Sequence, residues 1–486
     1  MTSRTRQLRV AVIGAGMAGI LAAIRLRQWG ITDVAVYEKA DRIGGTWREN
    51  TYPGVACDVP SHLYCYSFEP NPEWSHLFSP GAEINDYFQQ VADGYGVTPL
   101  IRLGDEVTSA CYDDGRWRLE TAGGYHDVCD VIIAATGVLH HPNVPHFGGE
   151  DSFTGALFHS ARWDHDVELD GRRIGVIGTG STAVQITGAL VERAERYSLF
   201  QRTAQWVLQT DNRPYTDDEK VRFRQDEALL HKAHDDLSKL FADNFSNAVV
   251  DADSPQMKLI EQLCEANLTE NVADPDLREL LRPDYRAACK RLVISPDFYA
   301  AVQRPNVEVV TAGIEHLEPG GVRTADGMLH ELDVVVLATG FQVDRFMRPM
   351  DLVGRGGVRL DDVWAERPTA YLSVSIPDFP NLFMLNGPNG PVGNFSLIEV
   401  AELQMDYIGQ LIERLRAGEV TEISACPEAT AEFDAQRVEA AKNTVWTTGC
   451  RSWYLDDRGI PATWPWTFDR FREVMAEPEL DHYEAI

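Results

Sequence analysis

Short apolar runs and helical periodicity alternate at the start of the chain. Residues 8–13 form a β-rich run, followed by Gly14-Ala-Gly16-Met-Ala-Gly19, a helical pattern in ILAAIRLRQWG and a second β run over 33–37. The same unit returns at 172–177, with Gly178-Thr-Gly180-Ser-Thr-Ala183, the helical AVQITGALVERA and a β run over 197–201. Strand, glycine turn, helix and strand in that order predict two parallel βαβ units. Residues 100–137 alternate short strands and turns and end in a buried run leading into Ala-Thr-Gly, an ending repeated at Leu337-Ala-Thr-Gly340. A further strand and glycine turn lie in 380–390, ahead of a long helical stretch over 396–417. Residues 211–288 differ. They are charged, carry few β-branched runs, show helical periodicity and are punctuated by Pro255, Pro275 and Pro283, so they predict a helical insertion.

The glycine loops specify chemistry. Gly14 makes the turn, Gly16 lets a pyrophosphate approach the backbone, and Gly19 lets the helix pack on the sheet. Glu38 and Arg202 stand at the same distance beyond Gly14 and Gly178. An acid there accepts hydrogen bonds from a free ribose hydroxyl, and an arginine suits a 2′-phosphate. The chain therefore reads as built for two different dinucleotides, the second of them NADP.

Composition narrows the classes. The 486 residues, 44% hydrophobic and 24% charged, suffice for two or three cores. A net charge of −30 argues against nucleic acid, and any anionic cofactor must be held locally by helix N-termini and a few basic side chains. The eight cysteines show no CxxC pair and no His–Cys cluster, which argues against a zinc site or a disulfide framework and suits a reducing cytoplasm. Arg4, Arg6 and Arg9 before an apolar run imitate a signal peptide, but the glycine fingerprint accounts for that run. A soluble cytoplasmic protein is expected, with no metal, no membrane association and no obligatory protein partner.

Three further stretches carry candidate residues. Residues 153–164, FTGALFHSARWD, lie between the two loops, where they can join two domains and bring a histidine and an aromatic near both cofactors. Gly44-Gly45-Thr46-Trp47 leads to Tyr52-Pro53-Gly54 and Cys57-Asp58. Paired glycines suggest backbone close to a ligand, though a surface loop has the same composition. Cys289-Lys290-Arg291 falls where the chain returns to strands. Aromatics in the tail, Trp446, Trp453, Tyr454, Trp464 and Trp466, read as core on their own.

Together these residues resemble the class B flavin-dependent monooxygenases, most closely the type I Baeyer–Villiger monooxygenases. Phe153-x-Gly155-x-x-x-His159-x-x-x-Trp163-Asp164 matches that family's fingerprint, and the run from Gly45 through Trp47, Tyr52, Pro53 and Gly54 to Asp58 matches a second pattern. The resemblance implies an α/β fold with two Rossmann-like dinucleotide-binding domains, for FAD and NADP. The FAD domain would take 1–140 and 331–486 with the tail. The NADP domain would take 141–210, including the fingerprint linker, and 289–330, with the insertion at 211–288. FAD would contact Gly14, Gly16, Gly19, Glu38, Gly45, Thr46, Trp47, Asp58, Tyr64 and Val107. NADPH would lie on Thr179, Gly180, Ser181, Thr182, Ala183 and Gln185, with Arg202, Thr203 and Lys290 around its 2′-phosphate and Trp453 covering it. Arg291 matches the family's catalytic arginine, Asp58 matches its acidic partner, and His159 is implied to act structurally or in domain coupling. The implied reaction reduces FAD with NADPH, forms a C4a-peroxyflavin with O₂ and converts a ketone to an ester or lactone through a Criegee-type intermediate. Alternatives are oxygenation of N or S atoms, or a flavin reductase or oxidase. The substrate pocket is expected from the insertion, the Phe395 region and the tail.

Overall fold

The computed structural model describes residues 6–393 and 395–486. The strands of its two parallel sheets begin with β1 (Arg9–Ile13), β2 (Asp33–Glu38), β3 (Ile101–Leu103) and β4 (Val131–Ala134). They are followed by β5 (Ala156–His159), β6 (Arg173–Ile177), β7 (Arg196–Phe200), β8 (Val307–Val310), β9 (Val334–Leu337) and β10 (Leu382–Met384). Two five-stranded sheets result, in the orders β10-β4-β1-β2-β3 and β8-β7-β6-β9-β5. Every pairing in them is parallel. The strands beside each glycine turn are apolar runs without alternation because helices cover both faces of a parallel sheet. Helix α1 (Met17–Gln28) follows the first turn and α2 (Ser181–Leu190) the second.

The expected domain boundary at 330 falls short. Strand β9 is hydrogen-bonded to β6 on one side and to β5 on the other, so the chain stays in the second sheet through Leu337. It crosses to the first sheet only afterwards.

The insertion is helical, with α3 (Asp217–Gln225), α4 (Glu227–Phe241), α5 (Pro255–Asn271) and α6 (Pro275–Leu280). Two of its punctuating prolines begin helices, behind the N-caps Ser254 and Asp274, because a first-turn residue needs no backbone donor. A later helix, α7 (Leu397–Ala417), packs on α1, where Gly409 lies so close to Trp29 that a Cβ would be 2.4 Å from its ring.

The tail folds back over this frame. Trp446 and Trp464 are buried, as expected, and Phe468 stacks on Phe395 at 4.6 Å. One expectation is overturned: Cys289 and Cys450 form a disulfide, with Cα atoms 6.1 Å apart. Their separation of 161 residues gives no spacing signal, and only the docking of the tail beside residue 289 brings them together. Among the described residues, no helix is long and apolar enough to cross a membrane.

Candidate active site

A cleft of about 1,100 Å³ runs from the first glycine turn to the second and ends under Trp453. At the first turn Gly14 has φ +105°, and a Cβ there would sit 2.4 Å from the Ala135 carbonyl oxygen. Helix α1 starts from Gly16 with no side-chain cap, which leaves its first N–H groups for an anion. Glu38 is buried. One oxygen accepts the Ala15 N–H at 2.9 Å, and the other accepts from the Ala40 N–H at 3.0 Å and Arg48 Nη1 at 3.1 Å. Gly45, Thr46, Trp47, Tyr64 and Val107 line the cleft beyond it, and Trp47 Nε1 donates to the Tyr64 hydroxyl at 3.2 Å. Burial pushes the Tyr64 phenol above its ordinary range. Gly19 is not on the cleft, since its Cα packs against the Gly14 carbonyl.

The second turn repeats the first. Gly178 has φ +128°, and a Cβ there would lie 2.3 Å from the Ala338 carbonyl oxygen. Gly180 caps α2 with no side-chain bond, and the space where its Cβ would stand is open. Thr179, Gly180, Ser181, Thr182 and Gln185 line the cleft, whereas Ala183 is buried in the contact between helix and sheet. Thr179 Oγ1 donates to the Thr203 carbonyl at 2.7 Å. Arg202 and Lys290 both face the cleft, and among the described residues neither forms an ion pair. Burial, and then the charge of Arg202, lower the Lys290 pKa. Two like charges held together, neither of them in an ion pair among the described residues, suit a doubly charged anion.

Between the loops stands Arg291. Its Nε donates to Asp58 Oδ2 at 2.9 Å, and its Nη2 reaches Oδ1 at 2.7 Å and Oδ2 at 2.6 Å. Nη1 donates to the Gly393 carbonyl at 3.1 Å. Burial disfavours the guanidinium charge, but Asp58 and Tyr454 outweigh it and raise the Arg291 pKa, so the cation persists at any working pH. The Arg291 side chain remains 31% exposed to the cleft. Trp453, 40% exposed, lies over the same space with its ring 4.2 Å from that of Tyr454.

The fingerprint does not reach the cleft, which corrects the expectation that it senses the cofactors. Phe153 is core, Gly155 sits against the Asp333 carbonyl, and Trp163 packs edge-on against Phe158. His159 accepts the Ala161 N–H at 3.1 Å on Nδ1, and its Nε2 lies 3.1 Å from the Gly340 carbonyl. Burial lowers its pKa, so the neutral ring donates through Nε2. Asp164 is exposed and accepts only the Asp166 N–H. The neighbouring residues make the join: Arg162 pairs with Glu49 at 2.5 Å, and His165 lies 2.7 Å from the Thr51 hydroxyl. Tyr52 donates to Gln185 Oε1 at 2.8 Å, and Gln185 Nε2 donates to the Ala56 carbonyl at 3.0 Å. Half of the second motif therefore holds the two sheets' loops together.

The insertion contributes no lining residue among those described, against expectation. Phe395, Leu397, Ser452 and Trp453 do. Sequence reasoning missed Arg48, the Gly393 carbonyl and the role of Tyr454. Arg48 adjoins the glycine-rich motif and Tyr454 adjoins Trp453, but neither carries a signal of its partner.

Known proteins are similar to this chain. The family described as flavin-binding monooxygenase-like matches residues 7–349. A Baeyer–Villiger monooxygenase of Streptomyces coelicolor is 39% identical, over 99% of this chain and 93% of its own length. A protein described only as a monooxygenase, from Mycobacterium tuberculosis, is 50% identical over 98% and 95%. The crystal structure of cyclohexanone monooxygenase from Rhodococcus sp. Phi1 bound to NADP+ superposes with a TM-score of 0.88 at 30% identity, covering 98% of this chain and 99% of that one.

Proposed function

The chain belongs to the flavin-binding monooxygenase-like family, and we propose that it is a Baeyer–Villiger monooxygenase. It turns a ketone, O₂, NADPH and a proton into an ester or lactone, water and NADP⁺. The observation that carries this reading is the Arg291–Asp58 pair, set on a cleft between two differently equipped dinucleotide loops.

FAD would be held by Gly14, Gly16 and the α1 N-terminus, with Glu38 for its ribose and Gly45, Thr46, Trp47, Asp58, Tyr64 and Val107 for the rest, all of which line the cleft. NADPH would be held by Thr179, Gly180, Ser181, Thr182 and Gln185, with Arg202, Thr203 and Lys290 for its 2′-phosphate and Trp453 beside it. The bound cofactors supply two electrons and one activated oxygen atom. Arg291 supplies a permanent positive charge and donors that stabilise the negative charge building on the carbonyl oxygen. Asp58 fixes the guanidinium by a two-toothed, charge-assisted contact. Val392, Phe395 and Leu397 give the middle of the cleft an apolar wall that excludes water and suits the hydrocarbon part of a ketone. All reactants meet in one chain, so no second protein is required. A cytoplasmic location belongs to the same reading because the reaction draws on NADPH.

Replacing Arg291 by Ala tests it. Reduction of the flavin by NADPH should stay near wild type, while ester formation falls by at least ~100-fold. Ester formation near the wild-type rate would remove the assignment. Cyclic, linear and aryl ketones offered beside a thioether give the substrate class, and sulfoxide without ester would move the reading to sulfur oxygenation.

A further inference from the structure

The segment from Cys450 to Tyr454 meets the strand-entry segment 289–291 twice, once through the Cys289–Cys450 bond and once through Tyr454 against Arg291. Tyr454 is 3% exposed, and its ring is packed by Trp446 at 5.7 Å and Trp453 at 4.2 Å. Its hydroxyl avoids that apolar wall. It lies against the Arg291 guanidinium and 3.3 Å from the Gly393 carbonyl, which also accepts from Arg291 Nη1. Gly393 has φ +98°, and a Cβ there would be 2.3 Å from the Tyr454 hydroxyl, so this approach needs a glycine.

The guanidinium is thus held from two sides. Asp58 takes Nε and Nη2, while the Gly393 carbonyl takes Nη1 beside the tyrosine hydroxyl. A guanidinium has donors only, whereas a phenol both accepts and donates. One hydroxyl can therefore accept from Arg291 and donate to Gly393, closing a ring of contacts that a carboxylate alone leaves open.

We propose that Tyr454 is a positioning residue for Arg291, fixing the face that the guanidinium turns to the cleft, and that the Cys289–Cys450 bond sets the register in which it does so. The inference rests on the role assigned to Arg291 and adds the tail to that site. Tyr454 stands four positions after Cys450, so the tail cannot drift from Arg291 while the bond is intact.

Tyr454→Phe keeps the ring and removes the hydroxyl. The first measurement is the rate at which phenylglyoxal labels Arg291, read by peptide mass spectrometry against the exposed Arg42. The second is ester formed per NADPH consumed, alongside the NADP⁺ dissociation constant. Loss of one hydrogen bond to a charged group should speed labelling by roughly threefold and lower the ester ratio about tenfold, with hydrogen peroxide making up the difference. NADP⁺ binding should change less than about twofold, since no contact with the second loop is touched. Cys450→Ser should shift labelling and ester ratio in the same direction. A variant that melts earlier yet labels and couples as wild type would reduce Tyr454 to packing and overturn the proposal. If Cys450→Ser leaves both measurements unchanged, the disulfide has no part in the register. Wild-type protein that makes no ester from any ketone overturns the oxygenase reading instead, and the labelling comparison still decides Tyr454.

Discussion

The two glycine turns of this chain are one design used twice. Gly14 donates its N–H to the Tyr37 carbonyl at 2.8 Å and Gly178 to Phe200 at 3.1 Å. The Cα of each packs against the carbonyl of the alanine that follows the neighbouring strand, Ala135 or Ala338. Strand orders agree as well, with β1-β2-β3 flanked by β4 and β6-β7-β8 flanked by β9. The difference sits at the end of the second strand. Glu38 accepts from Ala15, Ala40 and Arg48, while Arg202 faces Lys290 and, among the described residues, neither of the two forms an ion pair. Topology builds the cradle twice, and on the proposed reading one side chain at a strand's carboxyl end would select the nucleotide.

The largest effect should come from breaking one copy and sparing the other. In Gly178→Ala the new Cβ meets a backbone carbonyl in a strained φ, so use of NADPH should fall by ~100-fold or more while flavin content is kept. Gly14→Ala should instead yield protein without flavin. Equal flavin content in the two variants would show that the copies are not independent. Next, Arg202→Ala should raise the Michaelis constant for NADPH about 10- to 100-fold and leave that for NADH nearly unchanged, and an unaltered preference would dissolve the contrast with Glu38.

The smallest effect concerns pH. Lys290 would pair with a 2′-phosphate only when protonated, and its pKa is lowered by burial and by Arg202. The contact is therefore complete on the acid side of that depressed pKa and is lost as pH rises through it, before an ordinary lysine would titrate. The NADPH Michaelis constant should climb over that range by a few-fold, and Lys290→Arg should flatten the climb. A flat wild-type profile would take Lys290 out of the phosphate site.

What the sequence made legible was local. Gly14 to Glu38 and Gly178 to Arg202 lie within single βαβ units, so spacing alone fixes their geometry. Asp58 and Arg291 are far apart in the chain, and only the resemblance paired them. Cys289 with Cys450, and Arg291 with Tyr454, escaped notice because they depend on where the tail docks, which no short-range pattern encodes. The fingerprint was visible, and what differs is only its reading as a stretch beside both cofactors, not the structural role implied for His159. Its histidine and aromatics are conspicuous residue types, yet they pack beneath the second sheet's end while plainer neighbours, Arg162 and His165, cross to the first. The boundary at 330 failed for a similar reason, since an apolar run does not say which sheet it joins.

The disulfide also sets a leash. Trp453 stands three positions after Cys450, and an extended chain covers at most ~3.5 Å per residue. Its Cα can therefore travel no more than roughly 10 Å from a covalent anchor that is itself two residues from Arg291. With the bond intact, the indole stays within reach of the cleft that it lines.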